Sequence, residues 1–183
     1  MLSTVTPDEA LKISAAAFGG LRTPAESCQL AEALGRVLAE DIESPEYVPG
    51  FDRSSVDGYA VAAADTFGCS ESSPALLRLR GRVEMGRAPE FALAPGECAV
   101  IPTGGRLPEG ADAAVMLEYS EDYGGGLIGL TKSAAPGQNV VFRGDDAAPG
   151  RAVLRAGRKL RAADIGALAA MGLSLIHISE PTR

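Results

Sequence analysis

Tryptophan is absent from this chain of 183 residues, aromatic side chains make up 5% of it, and there is a single histidine. Its three cysteines, Cys28, Cys69 and Cys98, lie far apart and form no Cys-x-x-Cys unit, so neither a zinc site nor a disulfide framework is expected. No Gly-x-Ser-x-Gly elbow occurs, and the one histidine, His177, lies near the C-terminus. Because no histidine lies elsewhere in the chain to activate a serine or a cysteine, nucleophilic catalysis and a histidine-based metal site are hard to build.

Long apolar runs are absent too. No stretch approaches the roughly 20 residues that span a bilayer, and the N-terminus has no basic region followed by an apolar one. We therefore expect a cytoplasmic protein in a reducing compartment, with no membrane partner. The net charge of −7 argues against nucleic acid as a partner, because binding a phosphate backbone needs a basic face. A small anionic ligand stays open, since backbone N–H groups and a few arginines can hold one locally.

Helical periodicity occurs towards both ends of the chain. Thr6-Pro7-Asp8-Glu9 is typical of a helix start, with Thr6 as N-cap and Glu9 completing a capping box. Apolar residues at spacings of three and four then predict three helices, of which the first two are expected to pack in the core. These residues are Ala10, Ile13 and Ala17 before Gly19-Gly20, then Leu30, Leu34, Val37 and Leu38, and finally Ile165, Leu168 and Ala169 before Gly172.

The middle of the chain alternates between apolar and polar residues, which is typical of half-buried strands. In one segment, Leu77, Leu79 and Val83 alternate with three arginines, and a solvated strand face explains this better than nucleic-acid contact. The other predicted strands are 59–61, 97–103, 113–119 and 127–132, the last after a hairpin turn at Gly124-Gly125-Gly126. The fold class predicted is therefore α+β and β-rich.

The helical ends are predicted to build one subdomain, from residues 1–47 and 140–172, around an inserted β-rich subdomain of residues 48–139. The extended segment from Ser44 to Phe51, which contains two prolines, is the expected boundary. Residues 173–183, Leu-Ser-Leu-Ile-His-Ile-Ser-Glu-Pro-Thr-Arg, continue no pattern, so we expect a non-native tail such as translated adapter sequence. An uninterrupted genomic frame for the same residues beyond Gly172 would contradict this.

Polar residues concentrate in three turns. The first, Asp52–Gly58, follows an extended lead-in, and Asp57-Gly58 is a predicted turn pair because glycine tolerates a positive φ. The second turn is Pro102–Gly110 and the third is Arg143–Gly150. Each of them, taken alone, is also explained as a surface turn.

The residue types in these turns suit an oxyanion and a divalent cation. Thr103 and the glycines after it let backbone N–H groups approach an oxyanion, although the turn lacks the Gly-Lys-Ser/Thr ending of a Walker loop. Asp145 and Asp146 offer hard oxygen ligands for a Mg²⁺ ion that is shared with a phosphate. Together the turns suit metal-assisted transfer or hydrolysis of a phosphorylated or oxyanionic ligand.

In their order along the chain, the three turns resemble the characteristic stretches of the MoeA / gephyrin E-domain family, the molybdopterin molybdenumtransferases. The resemblance covers roughly residues 6–172 and implies that family's elongated fold. The matching stretches are Val-Pro-Gly-Phe-Asp-Arg-Ser-Ser-Val-Asp-Gly-Tyr-Ala-Val from Val48, Ile-Pro-Thr-Gly-Gly-Arg-Leu-Pro-Glu-Gly-Ala-Asp-Ala-Ala-Val-Met from Ile101, and Arg-Gly-Asp-Asp-Ala-Ala-Pro-Gly from Arg143.

This resemblance implies the metal-insertion step of molybdenum cofactor synthesis, in which adenylylated molybdopterin and molybdate are the substrates and AMP is released with Mg²⁺ present. Carried over by position, it implies catalytic roles for Asp57, Thr103 and Asp146, with Asp57 and Asp146 as candidate metal ligands. The positions implied to bind the cofactor or substrate are Ser54, Ser55, Gly58, Gly104 and Arg143. It also implies a homodimer, in which these residues face the catalytic domain of the partner subunit.

Proteins of this family continue after the equivalent of Gly172 into a molybdopterin-binding α/β domain and a small C-terminal β domain. We therefore expect this chain to be an N-terminal part that is inactive alone. Two alternatives stay open: a non-catalytic dimerisation or scaffold module of the same fold, and a stand-alone domain that binds Mg²⁺ and phosphate. The downstream reading frame separates them, because a domain with a Thr-Gly-Asp-Glu motif supports the enzyme and a genuine stop supports the module.

Overall fold

The computed structural model describes residues 4–20 and 23–179. Over these residues the fold is α+β and β-rich, as predicted, with helices α1 (Pro7–Phe18) and α2 (Ala162–Ala170) and short 3₁₀ turns at Leu30–Glu32, Ala63–Thr66 and Leu117–Tyr119. The strands in chain order are β1 (Ala25–Gln29), β2 (Ile42–Glu43), β3 (Arg53–Ser54), β4 (Gly58–Val61), β5 (Ala75–Arg82), β6 (Glu97–Ile101), β7 (Ala113–Met116), β8 (Ser120–Gly124), β9 (Leu127–Leu130), β10 (Val140–Val141), β11 (Ala152–Leu154) and β12 (Leu175–Ser179). Neither helix in this part of the chain is long and apolar enough to cross a membrane.

The described residues fall into two compact units. One unit contains the residues up to Glu43 and those from Ala152 onward, and the other is Ser44–Arg151. The boundaries predicted from the sequence were 47/48 and 139/140, which placed the turn Arg143–Gly150 with the terminal segments. In the structure this turn belongs to the unit Ser44–Arg151.

A six-stranded mixed sheet in the order β7-β4-β6-β5-β9-β8 is the framework of the unit Ser44–Arg151. Strand β4 pairs antiparallel with both β6 and β7, whereas β5 and β6 run parallel. All four residues of β4 are buried, and successive ones face opposite sides of the sheet. Tyr59 and Val61 pack with one apolar cluster and Ala60 packs with another, so β4 connects the two halves of the core.

Gly58 is required for a reason that the sequence prediction missed. It is the first residue of β4, and its φ is not in the positive range that a turn glycine would need. A Cβ atom at this position would lie 1.9 Å from the carbonyl oxygen of Val115 on β7. The chain bends at residues 55–57 and then enters β4 as predicted, but the left-handed backbone expected at Gly58 is wrong. The close approach of a neighbouring strand demands glycine here.

The alternating segments form strands as predicted, except that the segment 113–119 is a strand only to Met116 and continues as a 3₁₀ turn at Leu117–Tyr119. In β5, Leu77 is buried while Arg78, Arg80 and Arg82 are exposed, which fits the solvated strand face. Strands β8 and β9 form the predicted hairpin around the glycine-rich turn. Local alternation was sufficient in β5 because that strand presents one face to the core.

In the other unit, the predicted helix through Leu30 and Leu38 is wrong. Gly35 has φ +79°, which breaks a helix, and Leu34 is 61% exposed. The segment pairs instead with residues 157–160: the N–H of Leu38 donates to the carbonyl of Arg158, and the N–H of Leu160 donates to that of Arg36. Hydrogen bonds to a segment that is distant in the sequence therefore determine the structure here, although the apolar spacing is helical.

Helix α1 begins as predicted but does not pack as predicted. The N–H of Glu9 donates to Thr6 Oγ1 at 3.3 Å and the N–H of Thr6 donates to Glu9 Oε2 at 2.8 Å, which completes the capping box. None of its residues is buried, and Leu11 and Phe18 are 69% and 65% exposed. The prediction that this helix belongs to the core is wrong for the described residues, which leave its apolar side uncovered.

Residues 175–179 form strand β12, which pairs antiparallel with β1. Ile176 and Ile178 are both buried, and the sequence analysis predicted no strand in this segment. The remainder of the predicted tail, 180–183, lies outside the described residues. Its non-native origin stays a prediction.

Candidate functional site

The three polar turns predicted from the sequence meet around the short strand β3. The first and second turns are joined by three backbone hydrogen bonds: the N–H of Ser54 donates to the carbonyl of Gly105 at 2.9 Å, that of Gly104 to Ser54 at 2.7 Å, and that of Leu107 to Asp52 at 2.9 Å. Gly104 has φ +81°, which favours glycine at the point where the second turn approaches Ser54.

Asp57 and Thr103 are in direct contact. Asp57 Oδ1 accepts the backbone N–H of Thr103 at 2.9 Å, and both residues are exposed. This bond uses one carboxylate oxygen and leaves Asp57 Oδ2 and the hydroxyl of Thr103 for other partners. A negative charge and a hydroxyl therefore lie side by side at the end of strand β6.

The third turn is attached to the segment before β3. Asp52 Oδ1 accepts the backbone N–H of Arg143 at 2.7 Å, and the N–H of Asp146 donates to the carbonyl of Val48 at 2.9 Å. Strand β10 precedes this turn and pairs with β3. The catalytic candidates Asp57, Thr103 and Asp146 thus stand on three segments that share one backbone network.

The two acidic residues of the third turn differ. Asp145 Oδ2 accepts the N–H of Phe142 at 2.7 Å, so this carboxylate caps its own turn. Asp146 is exposed, and its backbone rather than its carboxylate anchors the turn. Of the acidic pair, Asp146 therefore offers the freer carboxylate.

Two of the predicted binding residues, Ser54 and Gly58, are buried and belong to the framework of the first loop. Ser54 is 1% exposed, and its hydroxyl donates to the carbonyl of Val56 at 2.7 Å. Gly58 is buried against β7, whereas Ser55 is exposed and its N–H donates to the carbonyl of Asn139 at 2.9 Å. The ligand-binding roles of Ser54, Ser55 and Gly58 stay predictions.

Asn139 was missed by the sequence analysis. It has φ +59°, its carbonyl accepts the N–H of Ser55, and its Nδ2 donates to the carbonyl of Ala114 at 2.8 Å. Asn139 therefore ties the first loop to strand β7. The available signal was the turn sequence Gly137-Gln138-Asn139, because asparagine tolerates the left-handed conformation better than most residues.

Aromatic residues next to the loops were also missed. The guanidinium of Arg143 lies over the ring of Tyr47, 4.0 Å from its centroid. The guanidinium of Arg106 lies over the ring of Phe51 at 5.7 Å. The aromatic residue precedes β3 in both pairs, so the lead-in to the first turn supplies a support for each arginine.

Cysteine chemistry is not supported near this site. Cys98 on β6 is fully buried, and burial raises the pKa of its thiol to about 12. Burial also raises the pKa of Tyr59 on the adjacent strand β4. Both side chains belong to the apolar core, so neither is ionised near neutral pH.

Two exposed carboxylates of the site are candidate ligands for a cation. Among residues 4–20 and 23–179, no three His, Cys, Asp or Glu side chains lie together as a metal site would need. Asp57 and Asp146 nevertheless supply exposed carboxylate oxygens. Mg²⁺ commonly takes one or two protein carboxylates and completes its shell with water and substrate phosphates, so this donor set suits it.

The chain was then compared with known proteins. The sequence model of the family described as "MoeA N-terminal region (domain I and II)" matches residues 5–172. The chain belongs to this family. The resemblance seen in the three turns is therefore confirmed.

Curated relatives of this MoeA-family chain match it along a small part of their own length. Gephyrin of Dictyostelium discoideum is 33% identical over 94% of the chain and 25% of the gephyrin sequence. Molybdopterin molybdenumtransferase of Bacillus subtilis (strain 168) is 35% identical over 81% of the chain and 35% of the relative.

A crystal structure of the molybdopterin biosynthesis moeA protein from Pyrococcus horikoshii OT3 shares the fold with a TM-score of 0.86 and 37% sequence identity. The match covers 97% of this chain and 46% of the Pyrococcus horikoshii chain. The MoeA-family chain thus spans less than half the length of this structure, and about a quarter to a third of the two curated relatives.

Proposed function

We propose that the chain is the N-terminal part of a molybdopterin molybdenumtransferase, which inserts molybdate into adenylylated molybdopterin and releases AMP in molybdenum cofactor biosynthesis. The convergence of the three turns around β3 carries the proposal, because it gathers Asp57, Thr103 and the turn of Asp146 on one network. The names of the curated relatives point in the same direction. Such a protein would work in the cytoplasm.

In this proposal Asp57 and Asp146 would hold a Mg²⁺ ion, which would supply positive charge for the phosphate groups of the substrate. The cation would neutralise charge on the phosphate from which AMP departs. Thr103 orients the reacting oxyanion by its hydroxyl, while its N–H keeps the Asp57 carboxylate in place. The exposed Ser55, Gly104 and the arginine of the third turn would contact the rest of the ligand.

We further propose that these residues face a pterin-binding domain of the partner subunit in a homodimer, so that the chain is inactive alone. The uncovered apolar residues of α1 support association with another surface. The same helix also supports the second candidate function, a non-catalytic dimerisation or scaffold module.

A chimaera tests the enzymatic role. Residues 5–172 replace the matching part of the Bacillus subtilis molybdopterin molybdenumtransferase, and AMP release and molybdenum insertion are measured with adenylylated molybdopterin and molybdate. We expect an active chimaera and a loss of about a hundredfold in rate for Asp57→Asn, because asparagine keeps the acceptor for Thr103 but removes the charge.

Asp65→Asn is the matched control, since Asp65 Oδ2 accepts the N–H of Gly96 at 2.8 Å in the same kind of loop-to-loop bond. An inactive chimaera that folds would favour the scaffold module. Equal rates for Asp57→Asn and Asp65→Asn would remove Asp57 from the mechanism.

A further inference from the structure

An open groove of about 440 Å³ runs along the outer side of the first and second turns. Its walls come from Gly50–Asp52, Arg106–Glu109, Ala111 and Arg143. A neighbouring hollow of about 410 Å³ shares Arg106–Glu109 and extends towards residues 88–92. We call the first of these the Arg106–Arg143 groove. All of it lies in the unit Ser44–Arg151.

Both arginines of this groove are supported by aromatic rings. Arg143 lies 4.0 Å from the ring centroid of Tyr47, and that ring is itself packed against Gly144, where a Cβ atom would come within 2.8 Å of it. Arg106 lies over Phe51 at 5.7 Å. Stacking holds a guanidinium by its flat face and leaves its N–H groups at the edge for hydrogen bonds.

Neither guanidinium is neutralised by a carboxylate. The ion pairs of the described residues involve Arg36, Arg87, Arg155, Arg158 and Arg161, and include no arginine of the groove. Asp52 also lines the groove, but its Oδ1 accepts the backbone N–H of Arg143. Glu109 lines the groove as well, but it forms no ion pair with either arginine, so both guanidinium groups keep their charge for a ligand.

From this geometry we propose that the Arg106–Arg143 groove binds a tetrahedral dianionic oxyanion between the two guanidinium groups. Arginine forks match the spacing of the oxygens in such anions and donate charge-assisted hydrogen bonds to them. The anion is a phosphate group of an organic ligand or molybdate itself, which have the same shape and charge. The choice of these two sources rests on the proposed function, whereas the anion site rests on the groove.

The test is direct binding to the full chain, without turnover. Inorganic phosphate, AMP and molybdate are titrated separately at low ionic strength by isothermal calorimetry. Each of Arg106→Gln and Arg143→Gln should weaken binding about tenfold, because each removes charge-assisted hydrogen bonds. Arg80→Gln is the control, since Arg80 is an exposed arginine on β5 outside the groove and should leave the affinity unchanged.

Binding of phosphate and AMP but not molybdate assigns the groove to a phosphate group, and the reverse result assigns it to molybdate. No heat from any of the three anions up to about 10 mM would overturn the proposal. An equal loss in Arg80→Gln would overturn it as well. If Arg143→Gln unfolds, the exposed Arg106→Gln variant decides the question. Absent binding together with an active chimaera would reject the groove and leave the proposed function intact.

Discussion

Replacing Gly58 by alanine should destabilise the unit Ser44–Arg151 without touching a charged or polar side chain. The added Cβ would lie 1.9 Å from the carbonyl oxygen of Val115, 2.9 Å from its carbonyl carbon and 3.0 Å from the Cα of Met116. All three atoms belong to the backbone of β7, so no side-chain rotation can make room. Strand β4 must move away from β7 instead.

The loss in free energy of unfolding can be estimated from the distance by which β4 and β7 must separate. A relaxed contact needs about 3.5 Å, so the strands must separate locally by roughly 1.5 Å. That movement strains the pairing of Gly58 with Met116 and the bond from the N–H of Leu117 to the carbonyl of Asp57, which is 3.0 Å long. Overpacking costs ~1–3 kcal/mol and each lost hydrogen bond ~1 kcal/mol, which gives about 3–5 kcal/mol in total.

Urea unfolding followed by far-ultraviolet circular dichroism measures this loss. With a slope of ~2 kcal/mol per M, the midpoint should fall by about 2 M. Gly50→Ala is the matched control in the same unit. A Cβ atom at Gly50 would have one neighbour within 4 Å, the carbonyl oxygen of Tyr47 at 3.9 Å, which is an ordinary contact. Its midpoint should stay within about 0.3 M of the parent. Equal midpoints for the two variants would refute the argument that close strand approach fixes Gly58.

Three further outcomes are expected. Thr66→Val should cost about 2–4 kcal/mol in urea unfolding, because the buried hydroxyl donates to Ala63 and accepts from the N–H of Ala134, and Thr66→Ser should retain most of this stability. The hydrogen bond from Arg158, and then the N–H of Arg161, lower the pKa of Asp164 to about 2. The stability that Asp164 contributes should therefore be complete above pH 4 and disappear between pH 4 and 2, and Asp164→Asn, measured by thermal unfolding at each pH, should lack this change. In the chimaera, Phe18→Asp should weaken the proposed homodimer about tenfold or more in sedimentation experiments, because Phe18 is an exposed apolar residue of α1. Unchanged association would exclude α1 from the interface.

The strands of the middle region were predictable because each carries its own signal. Alternation in β5 and the glycine-rich turn between β8 and β9 need no information from elsewhere in the chain. The segment around Leu34 shows the limit of this approach. Its apolar spacing is helical, but Gly35 at φ +79° and hydrogen bonds to residues 157–160 set its structure. A partner more than a hundred residues away leaves no trace in local periodicity.

The candidate site was predictable in its residue types and incomplete in its connections. The sequence identified Asp57 and Thr103 separately, and the structure joins them through one hydrogen bond of 2.9 Å. The sequence did not indicate that Tyr47 and Phe51 stack on arginines, because stacking depends on how two loops approach each other. Side chains that only position another side chain of the site are therefore not predicted from sequence patterns.

The positions of these loops are set mainly by backbone groups. Bonds between the main chains of Ser54, Gly104 and Gly105 join the first two turns, and main-chain donors of Thr103 and Arg143 hold the carboxylates of Asp57 and Asp52. An exposed carboxylate that receives one such bond can be replaced by the amide of asparagine with the acceptor kept. Loss of charge can then be separated from loss of structure at Asp57, whereas a side chain added at Gly58, one residue later, strains the backbone of β4 against β7. The contrast between these neighbours makes the loop a direct test of whether its acidic group acts in chemistry or only closes a turn.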